Sequence, residues 1–499
     1  MDFTAIVDHR PGLGLLLLVV ALVGGYFIWN IVYNLYLHPL SSYPGPKLWA
    51  ISNAPSVLAV LSGHSNKKIT ELHNKYGQVV RLGPNWMNYT HSDAFNQIAG
   101  HCKPGAGVNE KDDRTFGFLR DTIIGATCED HTRYRKKLAA GFSQQAMRSQ
   151  QMVIMKYVDL LLQQMRERGE NGKKPLDMTA WYNWLTFDII GHLTFGDSFH
   201  GLENAAYHPW ISLLFESLKM VGISAELRRW PWLDKVLARA IPAEVWRKAK
   251  EHHNMTAEMV QARLAIHSDY ADFMDAMTSD KNPKDAMTIS EINANASVLV
   301  TAGSETTASG LAAMTYYICT NRDVLAKMEH EVRSTFGSEV EMTLESVSQL
   351  EYTMAVINET LRLFPPAPAT AIRTINPGGD TILGKYLPPG IDVGVSYWAN
   401  HHDPANWALV ESFIPERWLG DPRFVNDAKA SFIAFSAGPR TCLGMNLAYA
   451  EMRLTIAKLI WHFDLRLSDE CEGWVDRTKH YLNWVKEPLM IYFVPRDTK

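Results

Sequence analysis

The chain has 499 residues, 46% hydrophobic, 11% aromatic and 20% charged, a composition that excludes a disordered chain and a small disulfide-stapled scaffold. Lysine plus arginine (49) nearly balance aspartate plus glutamate (53), for a net charge of −4, so no global basic field points to nucleic acid. The five cysteines, Cys102, Cys128, Cys319, Cys442 and Cys471, are scattered and show no CxxC spacing, which argues against a disulfide framework or a structural zinc site.

From Pro11 to Pro46 there is no Asp, Glu, Lys or Arg, and residues 13–32, at roughly 1.5 Å each, are long enough to cross a hydrocarbon core as a helix. A cleaved signal peptide is the rival reading, but its apolar part would span only about 7–15 residues and end in a small-residue cleavage site. Trp29, Tyr33 and Tyr36 fall where an interfacial aromatic belt would, and Lys47, Lys67 and Lys68 outnumber Arg10 across the span, which places the body on the cytosolic side. Residues 1–37 are therefore read as a membrane anchor. Residues 38–50, containing the turn-rich Ser41-Ser42-Tyr43-Pro44-Gly45-Pro46, are read as a linker. Residues 51–499 show no repeat and no second linker, and are read as one domain.

Within that domain, residues 152–168, 206–220 and 290–320 carry apolar side chains at helical spacing. Strand-like runs are few: 79–82, 381–383, 393–397 and 490–494. The expected class is mainly α with a minor β region.

Thr288-Ile289-Ser290-Glu291 forms a plausible capping box for the helix from Ser290, along which Leu299, Ala302, Gly303 and Thr306 share a face. Glycine costs about 1 kcal/mol in a helix interior relative to alanine, so Gly303 implies close approach of a ligand or a neighbouring helix. Thr306 beside Glu305 offers a hydroxyl and a proton source; a threonine bonding back to its own helix is the bland alternative. Glu359 and Arg362, three apart on a helix ending at Phe364-Pro365-Pro366, can pair. Finally, glycines and a proline precede Cys442, and residues 443–458 read as a helix, so the sulfur sits at a helix N-terminus that favours a thiolate. Such a thiolate is a metal ligand or a nucleophile. No base lies in the loop, while Arg440 offers a cation for a carboxylated cofactor; a buried structural cysteine is the common alternative.

Phe435, Gly438, Arg440, Cys442 and Gly444 match the FxxGxRxCxG loop of the cytochrome P-450 family. Ala302-Gly303-Ser304-Glu305-Thr306-Thr307 resembles its oxygen-binding helix, Glu359-Thr360-Leu361-Arg362 its ExxR pair, and Phe413-Ile414-Pro415-Glu416-Arg417-Trp418 its PERW segment. The order agrees, and the matches span the globular part; the anchor and PGP turn look microsomal, and the whole resembles fungal enzymes of secondary metabolism.

The resemblance implies a P-450 fold behind a transmembrane helix, haem b with Cys442 as iron ligand, and a structural triad of Glu359, Arg362 and Arg417. It further implies propionate contacts from Arg440, Arg373, Arg135 and His131, the last standing where tryptophan is often found; imidazole can still donate a hydrogen bond. Ala302, Gly303, Glu305 and Thr306 are the implied oxygen-side residues. The implied partners are a hydrophobic substrate, O2, NADPH-cytochrome P-450 reductase and a b-type cytochrome, with the protein in the endoplasmic reticulum membrane as a single-pass enzyme facing the cytosol. Arg133, Lys136 and Lys137 form a basic face suited to an acidic electron donor.

By the same resemblance, a hydrophobic terpenoid, polyketide or alkaloid pocket is lined from residues 116–124, 210–218, 367–372, 482–485 and the oxygen helix. The cluster Arg228-Arg229-Trp230-Pro231-Trp232-Leu233 is either a second membrane contact or core packing. Four glycosylation sequons, at Asn88, Asn254, Asn295 and Asn358, are read as chance on a cytosolic body. The alternative function is a non-oxygenating haem-thiolate isomerase or a haem-based sensor, indifferent to NADPH; the intact Glu305-Thr306 pair disfavours it.

Overall fold

The computed structural model describes residues 11–100, 107–230, 242–266, 270–279 and 285–496. The principal helices are α1 (Pro11–Val32), α2 (Cys128–Leu138), α3 (Gln144–Arg168), α4 (Met178–Phe195), α5 (Pro209–Leu227), α6 (Ala243–Leu264), α7 (Ile289–Thr320), α8 (Arg322–Thr335), α9 (Glu351–Leu363) and α10 (Met445–His462). Strands are short: β1 (Val79–Gly83), β2 (Trp86–Tyr89), β3 (Glu110–Lys111), β4 (Leu176–Asp177), β5 (Thr370–Thr374), β6 (Asp380–Ile382), β7 (Lys385–Leu387), β8 (Asp392–Ser396), β9 (Phe463–Leu467), β10 (Lys479–His480), β11 (Trp484–Val485) and β12 (Met490–Pro495). The expected class, mainly α with minor β, is the class observed.

α1 and the turn after it contain a 24-residue stretch, Gly14–Leu37, of mean hydropathy 2.4 that is long and apolar enough to cross a membrane. The segment read as a linker is instead docked on the body. Leu40 and Trp49 are buried, the latter in the short helix Lys47–Ile51, and Arg81 N–H donates to the Pro44 carbonyl at 2.8 Å. Proline and glycine stop α1 there without freeing the chain, because the apolar side chains around them find partners.

Five strands form one sheet in the order β1-β2-β8-β5-β3. β2 runs parallel to β8, whereas β5 is antiparallel to both β8 and β3. The register sets Lys111 opposite Arg373. A second sheet joins β4, β12 and β9, and β10 and β11 form a hairpin near the C-terminus.

α7 starts as its capping box predicts. Thr288 Oγ1 accepts from the Glu291 N–H at 3.3 Å and Glu291 Oε2 accepts from the Thr288 N–H at 2.8 Å, so two otherwise orphaned donors are satisfied. α7 lies along α4, where Tyr182 Oη and Thr315 Oγ1 are 2.7 Å apart. The core gathers around this pair, from Trp181, Leu185 and Phe187 on α4 to Leu311 and Met314 on α7 and Leu454 and Ile456 on α10.

Candidate active site

Two elements present the cysteine loop. Cys442 N–H donates to the Phe435 carbonyl at 2.8 Å, and the Phe435 ring rests 4.8 Å from that of Tyr449 on α10. Gly438 holds φ +73°, and a Cβ there would come within 2.8 Å of the Ala99 carbonyl oxygen, so only glycine lets the loop pass. Gly444 is the N-cap of α10. Cys442 is accessible, yet protein surrounds it closely, which sets its sulfur on the wall of an internal cleft and not on the outer surface.

The helix end does less for this thiol than expected. Burial pushes Cys442 up from its ordinary value, and the Gly444 N–H and Arg135 only partly offset that. A metal that bound the sulfur would deprotonate it outright, which the loop alone does not do.

Several basic side chains gather around the cysteine loop. Arg440 donates to the Ala126 carbonyl at 2.6 Å, while its Nη1 is buried without a partner; the nearest acid, Glu110, is 3.7 Å away and half-exposed. Arg135 donates to the Thr441 carbonyl at 2.7 Å and so braces the cysteine loop. Arg373 is buried on β5. His131 is buried too, and burial, followed by Arg440, Arg135, Lys111 and Arg373, lowers its imidazole to about 3, so it sits there neutral, able to donate one N–H.

Lys111 belongs to the same group, and no sequence motif marked it. Burial, then Arg373 and Arg440, holds its ammonium well below the ordinary lysine value. Its Nζ donates to the Ile124 carbonyl at 2.6 Å. Burying so many cations together is costly unless an anion joins them. An orphaned guanidinium nitrogen beside an accessible thiol is the donor set that haem requires: a soft ligand for iron and cations for two propionates.

On α7, Thr306 Oγ1 donates to the Ala302 carbonyl at 2.6 Å, the back-bonding that a helical threonine commonly makes. Glu305, one position earlier and a third of a turn round, is buried. Gly303 is crowded by a protein neighbour: an added Cβ would come within 2.9 Å of Ile190 Cδ1 on α4. Helix-helix packing is therefore sufficient reason for this glycine.

Glu359, Arg362 and Arg417 meet as implied, with fully buried side chains. Glu359 accepts from both Arg362 Nε and Nη2 at 2.9 Å, from Arg417 Nε at 3.0 Å, from Trp418 Nε1 at 3.0 Å and from the Ile414 N–H at 3.0 Å. Asp427, which the motif does not include, pairs with the far side of Arg417. Removing one member of such a buried set costs about 3–5 kcal/mol, because the remaining charges stay buried.

Several expected surface roles do not hold. Trp210, placed in the pocket lining, is fully buried, stacked on His252 at 4.5 Å and bonded to Thr256 at 2.9 Å. Arg229 is buried under the Trp86 ring and pairs with Glu226 at 2.8 Å, so it packs in the core; Pro231, Trp232 and Leu233 lie outside the described residues. On the basic face of α2 each cation has a partner, though Lys136 stays exposed. Arg133 pairs with Asp130 at 2.9 Å and Glu291 at 2.5 Å, Lys136 pairs with Asp285 at 2.6 Å, and Lys137 is buried against the Ser279 carbonyl.

An accessible thiol just before a helix, with basic side chains gathered about its loop, is a donor set that suits haem. The family model for cytochrome P450 matches residues 43–492. The chain is similar to a trichothecene C-15 hydroxylase of Fusarium sporotrichioides, 42% identical with 96% of this chain and 98% of that one covered. It is also similar to an averantin hydroxylase of Dothistroma septosporum, 39% identical over 96% of this chain and 91% of that one. A cytochrome P450 monooxygenase of Aspergillus oryzae is 38% identical, with 94% and 95% covered. This chain belongs to the cytochrome P450 family. It is a monooxygenase that binds haem iron and uses O2, a redox partner and a hydrophobic substrate; the non-oxygenating alternative is not favoured.

Proposed function

We propose that this enzyme oxygenates a hydrophobic fungal secondary metabolite, a terpenoid, polyketide or alkaloid, at the endoplasmic reticulum membrane. α1 anchors it as a single span with the body facing the cytosol, and electrons come from NADPH through a separate cytochrome P-450 reductase, with a b-type cytochrome as a second donor. The observation that carries the reading is the accessible Cys442 sulfur on a loop that Arg135 braces and in which the Arg440 Nη1 lies buried without a partner. The named hydroxylases it resembles favour the substrate class.

Bound here, haem b supplies activation of dioxygen and transfer of one oxygen atom to the substrate. Cys442 would hold its iron, and Arg440, Arg373, Arg135, His131 and Lys111 its propionates. Guanidinium groups suit carboxylates because they bind in a bidentate fashion. Thr306 commits its hydrogen to Ala302, so its oxygen lone pairs remain to accept from a water in the cleft. It thereby orders a proton path whose reserve is Glu305. Ala302 keeps that stretch of α7 small while Gly303 admits Ile190 of α4, and Phe435, Gly438 and Gly444 shape the loop that aims the sulfur.

The test is mass spectrometry on membranes holding this chain and a reductase, supplied with NADPH, isotopically heavy dioxygen and a panel of terpenoids, polyketides and alkaloids. The expected product carries one heavy oxygen atom and forms only with NADPH. Turnover without NADPH, oxygen drawn from water, or no turnover across the panel would each sink the reading.

A further inference from the structure

The cysteine loop is held from outside at its entrance. Buried Ile433 donates its N–H to His401 Nε2 at 3.1 Å, and its carbonyl accepts from the Ser436 N–H at 2.8 Å. Ser436 sits at φ +63°, in the left-handed region that non-glycine residues uncommonly adopt. Such strain persists only where the surroundings over-determine the backbone. Two residues beyond Ile433, the Phe435 carbonyl accepts from the Cys442 N–H, so the hold on Ile433 acts at the base of the turn that carries the sulfur.

His401 ends the short helix Tyr397–His401 after β8, lies outside all four motifs and is fully buried. It joins two parts of the core. Its carbonyl accepts from Arg362 Nη1 at 3.1 Å, and its ring stacks on Phe432 at 5.7 Å. Phe432 also meets the Trp418 ring at 4.8 Å, and Trp418 Nε1 donates to Glu359. The preceding residue, Asn400, donates to the Ser431 carbonyl at 2.6 Å, so successive side chains of one short helix hold the approach to the loop at two places. Burial, followed by His402 and Arg362, lowers the His401 imidazole to about 3. The ring is therefore neutral, with its proton on Nδ1 and the Nε2 lone pair turned to the Ile433 N–H.

We propose that His401 is a positioning residue for the iron ligand: by accepting from the Ile433 N–H it fixes the entrance of the cysteine loop to the Glu359–Arg362–Arg417 set, and so holds the Cys442 sulfur where iron takes it. This rests on the reading of Cys442 as that ligand. A buried N–H left without an acceptor is costly, so the loop shifts to find water when the acceptor goes. What matters is the acceptor and not the ring. His401→Phe keeps a ring against Phe432 and removes the acceptor, whereas His401→Gln brings an amide oxygen to about the place of Nε2.

The test uses the full-length, haem-loaded enzyme and two readouts. Amide hydrogen exchange in a peptide covering residues 432–442 should be about 10-fold faster in His401→Phe than in wild type, and within about twofold of wild type in His401→Gln. The reduced, carbon monoxide-bound spectrum should follow the same order: the thiolate-type Soret shift fades on incubation of His401→Phe and persists in wild type and His401→Gln. His401→Leu serves if His401→Phe does not fold. Leu185→Ala, a core change on α4, controls for lost stability, since it should lower the melting temperature and leave both readouts in place. Wild-type exchange with a lasting Soret shift in His401→Phe, or equal loss of both in His401→Gln, overturns the role of His401. Absence of the thiolate-type shift from haem-loaded wild type overturns the underlying reading of Cys442 instead.

Discussion

Thr306 illustrates how little of a residue's function its strongest bond reveals. Its hydroxyl hydrogen is spent on Ala302, which by itself is ordinary helix chemistry; in the proposed proton path it is the oxygen lone pairs that accept from a water. Thr306→Ala should leave haem and substrate binding nearly unchanged while product per NADPH falls and peroxide yield rises in a reconstituted system. Loss of a positioned acid costs on the order of 100- to 10,000-fold in the step it serves, and a replacement water would soften that. Undiminished coupling would make Thr306 a packing residue. Cys442, Arg440 and the Glu359–Arg362 pair were legible in the sequence because a few residues of fixed spacing place them. Lys111 and Asp427 were not, because each is set in place by a partner brought near only by sheet register or tertiary packing.

At the scale of elements, the start of α7 is tied to α2. The Arg133 guanidinium, aided by the Thr288 N–H and the Tyr134 hydroxyl, holds the Glu291 carboxyl down at about 2. A carboxylate whose folded value is depressed adds stability that is present above its unfolded value, near 4.5, and is lost as pH falls toward the folded one. Arg133→Ala should therefore lower the melting temperature at pH 7, and its gap from wild type should narrow steadily as pH drops through that window. A gap independent of pH would mean that packing, not charge, joins the two helices.

The capping box made the α7 boundary readable to within one residue. α4 was missed because nearly all of its side chains are buried, leaving no polar face and hence no period to detect. α3 begins at Gln144, earlier than the apolar spacing suggests, because its first turns are polar and Ser143 caps them.

Across the whole molecule, the apolar N-terminal helix meets the body at a hydrogen-bonded joint. Buried Arg81 donates to the Asn34 carbonyl at 2.7 Å, to the Asn34 side chain at 3.4 Å and to the Pro84 carbonyl at 2.7 Å. Deleting residues 1–32 should release the chain from membranes at least partly and leave haem content intact. Deleting residues 1–37 should do the same with a lower melting temperature, because a buried guanidinium loses partners, at about 1–3 kcal/mol per unmet group. Loss of haem from the shorter deletion would show that α1 is part of the folded core.

Four motifs spread along the chain carry the reading, and it depends most on one atom, the Cys442 sulfur. The most direct measurement is the absorption spectrum of the reduced, carbon monoxide-bound full-length protein beside Cys442→Ala. The wild type should show the thiolate-type Soret shift and the variant should lose it. Retention of that shift in Cys442→Ala, or its absence from haem-loaded wild type, would contradict the assignment of Cys442 as the iron ligand.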